Sequence, residues 1–124
     1  GHILARASGN FVLHNVADQG LALYIADLDV NKQGGMETLY PAGDTVRAFF
    51  PTAGELYHAR VAASQNITAI DTPLTSNGDG TLKIASGASG TQEIVAYADE
   101  VINTGAGGAL VRVRIASFMR SAIV

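Results

Sequence analysis

The chain has 124 residues, enough for one domain to bury a core without staples. It has no cysteine, which excludes disulfides and thiolate metal sites. Its net charge is −3, only 15% of residues are charged and its eight Lys and Arg are scattered, so binding to nucleic acid through phosphates is disfavoured.

Gly1-His2 has the character of an expression remnant and is expected to stay out of the chemistry. The next residues, HILARASGNFVLHNVADQG, are apolar without a clean period and are interrupted by Gly9, Asn10 and Gly20. The reading predicts an extended arm over residues 1–20 and a domain proper over 21–124. The arm's apolar residues Ile3, Leu4, Phe11, Val12 and Leu13, with Arg6 among them, then need a surface supplied by another molecule. Leu21 to Val30 is a strand or a helical turn or two, and NKQGG is a loop.

Strand signals dominate from Thr45. TVRAFF alternates, with Val46, Ala48 and Phe50 on one face and Thr45, Arg47 and Phe49 on the other. PTAGE is turn chemistry. ELYHARVAA resumes the period of two, with Tyr57, Ala59, Val61 and Ala63 opposite Leu56, His58, Arg60 and Ala62. The two runs predict a hairpin with a five-residue loop.

TPLTSNGDGTLKI predicts a second hairpin around a tight Asp79-Gly80 turn, because Gly and Asx tolerate positive φ. GASG, residues 87–90, is another turn. EIVAYADEV and LVRVRIA predict a third hairpin around TGAGGA. Val111, Val113 and Ile115 face in, while Arg112 and Arg114 share the outward face with Asp99 and Glu93 as possible partners. The apolar runs are too short for a membrane helix, and no signal segment opens the chain.

Candidate chemistry is sparse. Asp27, Asp29 and Asn31 match the first three ligand positions of an EF-hand loop, but Lys32 replaces its glycine and Thr38 its closing Glu. Asp79 is a lone carboxylate in a turn, whose expected work is to hydrogen-bond nearby backbone. His2, His14 and His58 have no H-x-H or H-x-x-x-H spacing for zinc. No G-x-S-x-G occurs, and GASG and GAGG lack the P-loop Lys. The sequence therefore predicts no enzyme, no metal and no cofactor. Arg47, Arg60, Arg112 and Arg114 alternate with apolar residues and are candidates either for an interface or for a solvated face.

Taken together, three segments resemble the β-rich capsid decoration (cement) proteins of tailed bacteriophages, over about Gly43 to Ile115. They are GDTVRAFFPTAGELYHARVAAS with its Gly-Asp step, the S-N-G-D-G-T-L turn, and EIVAYADEVINTGAGGALVRVRI with its V-R-V strand. The resemblance implies an all-β domain, a small β-barrel or β-tulip with an extended N-terminal arm. It implies a structural protein on the outer surface of the virion capsid that bridges major capsid proteins and sits there as a homotrimer. It also implies that Ile3, Leu4, Arg6, Phe11, Val12 and Leu13 are the capsid-binding arm. Partners would be the major capsid protein and itself, with no nucleic acid and no membrane. Two other readings are carried: a tail or head-fibre base component, and a carbohydrate-binding β-sandwich. The latter calls for a platform of exposed aromatics, for which Tyr24, Tyr40, Tyr57 and Tyr97 are dispersed in sequence.

Overall fold

A computed structural model describes residues 1–8, 10–18, 24–26, 48–86 and 92–116. The described residues form strands and loops with no helix, so the all-β class holds. Asp27, Asp29, Asn31, Tyr40, Arg47 and the GASG turn lie outside the described residues.

Five strands close on one another in the order β11-β5-β8-β7-β9. They are β5 (Leu56–Val61), β7 (Pro73–Ser76), β8 (Leu82–Ile84), β9 (Ala96–Ala98) and β11 (Ala109–Ile115). All pairings are antiparallel except β5 with β8, which meet in parallel at Val61 and Leu82. A ring this small has a narrow inside, and the sequence supplies fitting volumes. Each β-branched residue of β11 faces an alanine on a neighbour: Val111 opposite Ala59, Val113 opposite Ala98, Ile115 opposite Ala96. All six are buried, and Ile67, Leu74, Leu82 and Val95 join them in the core. The predicted alternation in β5 and β11 thus follows from the pleat, which turns every second side chain inward. Beside the ring, β6 (Asn66–Ile67) pairs with β10 (Ile102–Asn103). Thr104 fixes that connection, donating from its hydroxyl to the Ala62 carbonyl at 2.7 Å and accepting from the Gln65 amide at 3.0 Å.

A second sheet has the order β2-β1-β3-β4, from β1 (Ile3–Ala7), β2 (Asn10–Leu13), β3 (Tyr24–Ala26) and β4 (Ala48–Phe49). It corrects the expected free arm at residues 1–20. The segment has its own hairpin partner, with Ala7 opposite Asn10 and Leu4 opposite Leu13. Ser8 takes φ 51°, the left-handed backbone that a two-residue hairpin turn requires. Ile3 is fully buried in the core with Ile25, its partner across β1 and β3, and Leu4 is 5% exposed. Their burial is worth roughly 1.5–3 kcal/mol per side chain. Ile3 and Leu4 therefore find their surface within the domain.

Backbone hydrogen bonds fasten the segment at many points. The Ile3 amide donates to the Gly80 carbonyl at 2.8 Å, the Gly80 amide to the His14 carbonyl at 3.1 Å, and the Asp18 amide to the Ser76 carbonyl at 2.9 Å. Asp18 itself has φ 65° and accepts at Oδ1 from Gln92 Nε2 at 2.8 Å and Lys83 Nζ at 3.1 Å. Gly1 and His2 are woven in as well. The Gly1 carbonyl accepts from the Arg60 amide and the His2 carbonyl from the Ala26 amide.

Two predicted turns are also corrected. β4 pairs with β3, with Ile25 opposite Phe49, and does not form a hairpin with β5. Both sides of β5 are taken by β11 and β8, and the PTAGE turn is held by Gly54 and Glu55 against Ile115. Local alternation marks a strand but not its partner. The β7–β8 hairpin forms, with Leu74 opposite Ile84. Its loop spans residues 77–81, and Gly78 (φ 88°) and Gly80 (φ 87°) take the positive dihedrals, not Asp79.

Candidate functional site

Residues directly opposite in an antiparallel pair share a face. Leu4 opposite Leu13 and Tyr24, and Arg6 opposite Phe11, therefore define one face of the second sheet. Ile3, Ile25 and Phe49 define the other, which turns its Ile3–Ile25 end into the core. The first face carries a row that draws one side chain from β2, β1 and β3 and the residue just past β4: Phe11, Arg6, Tyr24 and Phe50.

The row is in contact along its length. Phe11 and Tyr24 meet edge to face with centroids 5.2 Å apart, and Tyr24 meets Phe50 likewise at 5.5 Å. β2 and β3 flank β1 and so stand two strand spacings apart, roughly 10 Å. Their rings lean across β1 to touch, and the Arg6 side chain from β1 lies against both. Its guanidinium carbon lies 5.3 Å from the Phe11 centroid and 5.7 Å from that of Tyr24, within cation–π range of both. Phe50 is 65% exposed, a large apolar side chain left in water. At the sheet's margin Phe49 packs on Tyr57 at 5.7 Å, and Leu56 is 52% exposed.

Of the predicted arm residues, Arg6 and Phe11 are in this row. Leu13 covers Gly80 from the same sheet face, so a Cβ there would meet its side chain at 2.6 Å. Val12 is exposed and lies on the opposite face from Phe11. Tyr24 and Phe50 escaped the sequence reading as site residues. Ser8-Gly9, a turn dipeptide between two apolar runs, is a signal that joins Arg6 to Phe11, and no local pattern joins Tyr24 or Phe50 to them.

The candidate interface arginines behave differently. Arg112 Nε binds Asp99 Oδ2 at 2.8 Å, and Arg114 binds Asp71 Oδ1 and Asp99 Oδ1, both at 3.1 Å. The expected partner Asp99 is found, and Asp71 rather than Glu93 is the second carboxylate on Arg114. The Glu100 carboxylate accepts from the Arg112 amide at 2.9 Å. Arg60 donates to the Gly107 carbonyl at 2.7 Å. These three side chains thus have acceptors within the chain.

The polar groups near the junction of sheet and ring serve the fold. Asp79 Oδ1 accepts from the Thr81 amide at 3.1 Å and from the Thr81 hydroxyl. Burial works against its charge, but the Thr81 and Asn77 hydrogen bonds outweigh that and hold its carboxyl below the ordinary value. His2 is also lowered, first by burial, then by the positive charges of the Gly1 ammonium and Arg60, with Asp79 opposing. His14 is buried, and its Nδ1 lies 3.0 Å from Ser76 Oγ. Among the described residues no group of three or more His, Asp or Glu is placed to hold a metal ion.

Compared with models of known protein families the sequence matches none, and no curated protein matches it at a significant level.

Proposed function

We propose that this chain is a structural binding protein that docks on another protein through the Phe11–Arg6–Tyr24–Phe50 face of its second sheet. Following the resemblance in its turns and strands, the partner is the major capsid protein of a tailed phage, and the site of action is the outer surface of the mature head. On this reading the chain is a capsid decoration protein that bridges neighbouring capsid subunits, gathered as trimers.

The observation that carries the reading is the row itself. Aromatic side chains and Arg are enriched at the energetic centres of protein interfaces, and exposed Phe50 gains from being covered. The sheet is tied by Ile3 and Ile25 into the core, so the face is held rigid and loses little freedom on binding. Weakly charged surroundings suit close contact with a shell. The carbohydrate-binding alternative is less well served. A sugar ring stacks on flat exposed ring faces, whereas these rings meet at 74° and 62°.

The test is co-sedimentation with expanded, undecorated heads of the phage whose genome carries the gene. The wild-type chain should pellet with the heads, and Phe50→Ser should bind much more weakly at an unchanged melting temperature. Failure of the wild-type chain to bind heads rules out the capsid partner. Equal binding by Phe50→Ser moves the contact to another face.

A further inference from the structure

We infer that the partner segment received by this face carries an Asp or Glu carboxylate beside an apolar side chain, and that Arg6 is the residue that selects it. The inference rests on the reading of the aromatic row as a docking face and adds the chemistry of what docks there.

Arg6 differs from the other described cations. Lys83 is paired with Asp18, Arg112 and Arg114 with Asp99, and Arg60 donates to Gly107. Among the described residues Arg6 has neither a carboxylate nor a carbonyl acceptor; its neighbours are the Phe11 and Tyr24 rings. A guanidinium has five N–H donors and cannot shed its charge. The two rings lie together on one side of it, their centroids 5.2 Å apart, and among the described residues no oxygen accepts from its donors. The side chain is exposed, so in the free protein those donors are met by water.

The other residues of the row, Phe11, Tyr24 and Phe50, are uncharged, as are Leu4 and Leu13 on the same face. Among the described residues no acidic side chain of this face competes for Arg6. A carboxylate matches the guanidinium fork with two parallel hydrogen bonds. Cation–π contact with the two adjoining rings restrains the side chain before the ligand arrives, so less rotamer freedom is lost on binding. Covering Phe50 with an apolar neighbour removes water from the pair and strengthens it. A basic segment is repelled by the same geometry, and a purely apolar one would bury the guanidinium donors unpaired.

The test uses the full-length chain, labelled with ¹⁵N, and two probes: the capped tripeptides acetyl-Leu-Glu-Phe-amide and acetyl-Leu-Gln-Phe-amide. We expect the Glu peptide to shift the Arg6 Nε–H resonance and the amides of Phe11, Tyr24 and Phe50. It should bind about tenfold tighter than the Gln peptide, the size of one charge-assisted hydrogen bond. Arg6→Gln should abolish the difference, and Arg6→Lys should keep part of it. Equal shifts by the two peptides, or none by either, overturn the carboxylate assignment. Peptide selectivity without binding to heads leaves the assignment standing and removes the capsid as the partner. Head binding that is lost in Phe50→Ser but unchanged in Arg6→Gln supports the docking face and overturns the role of Arg6.

Discussion

The five-stranded ring and the second sheet use similar residues to opposite ends. In the ring, β11 sets Val111, Val113 and Ile115 against Ala59, Ala98 and Ala96, and all are buried. Its outward arginines are neutralised by Asp71 and Asp99. In the sheet, only the Ile3–Ile25 end reaches the core, while Arg6 and Phe50 face water. A closed ring satisfies its own edges and has little left to offer a partner. An open sheet fixed at one end keeps a face for binding. Stability and recognition are thereby placed in different strands of one domain.

The most severe way to break that division is to delete residues 1–20. Their loss removes Ile3 from the core, removes both β1 and β2 so that β3 loses its neighbour, and leaves Gly80, Ser76 and Arg60 without backbone partners. The truncated chain should show no cooperative melting by circular dichroism. A sharp transition near the full-length temperature would instead make the sheet an appendage of a self-sufficient ring.

The two faces of the sheet can be separated by single substitutions. Ile3→Ala opens a cavity in the core and should cost about 2–5 kcal/mol in urea denaturation. Phe50→Ser, on the water side, should change stability by less than about 0.5 kcal/mol. Similar losses at both positions would mean that the outer face is part of the fold's support.

The joint between the regions has its own probe. Gly80 combines φ 87° with close contact to Leu13, where a Cβ would approach to 2.6 Å. Gly80→Ala should cost about 1–3 kcal/mol through backbone strain, with some of the clash relieved by rotation of the Leu13 side chain. An unchanged urea midpoint would show that loop 77–81 adapts and that the joint is loose.

The smallest effects are electrostatic. Asp99→Asn disturbs exposed ion pairs on the ring and should cost about 0–1 kcal/mol, less at high salt. Asp79 has a folded pKa below its ordinary 3.8. Its contribution is therefore present above that value and is lost as pH falls through the lower, folded value. The stability deficit of Asp79→Ala should accordingly shrink in acid, measured by urea midpoints from about pH 5 to 2. A deficit that stays constant would place the role of Asp79 in packing rather than charge.

The sequence determined a good deal by itself. Alternation in LYHARV and ALVRVRI is enough to say which side chains of β5 and β11 face in, because the pleat is a local property of extended chain. The glycines and Asp79 mark the turn between β7 and β8 for the same reason, although the positive dihedrals fall on Gly78 and Gly80. Asp99 opposite the two arginines was also legible, since register within a terminal pair is short-ranged information. The parts that failed share one cause. Residues 3–13 have weak periodicity because Ile3 and Leu4 are buried on opposite faces at one end of the sheet while the far end is exposed. That makes a structural hairpin read like an unattached arm. The partner of β4 was misassigned because alternation fixes faces and leaves edges open, and tertiary closure of the ring gave both edges of β5 away. The aromatic row could be found only once folded. Phe11, Tyr24 and Phe50 are far apart in the chain, and it is the order β2-β1-β3-β4 that sets them side by side with Arg6 against Phe11 and Tyr24.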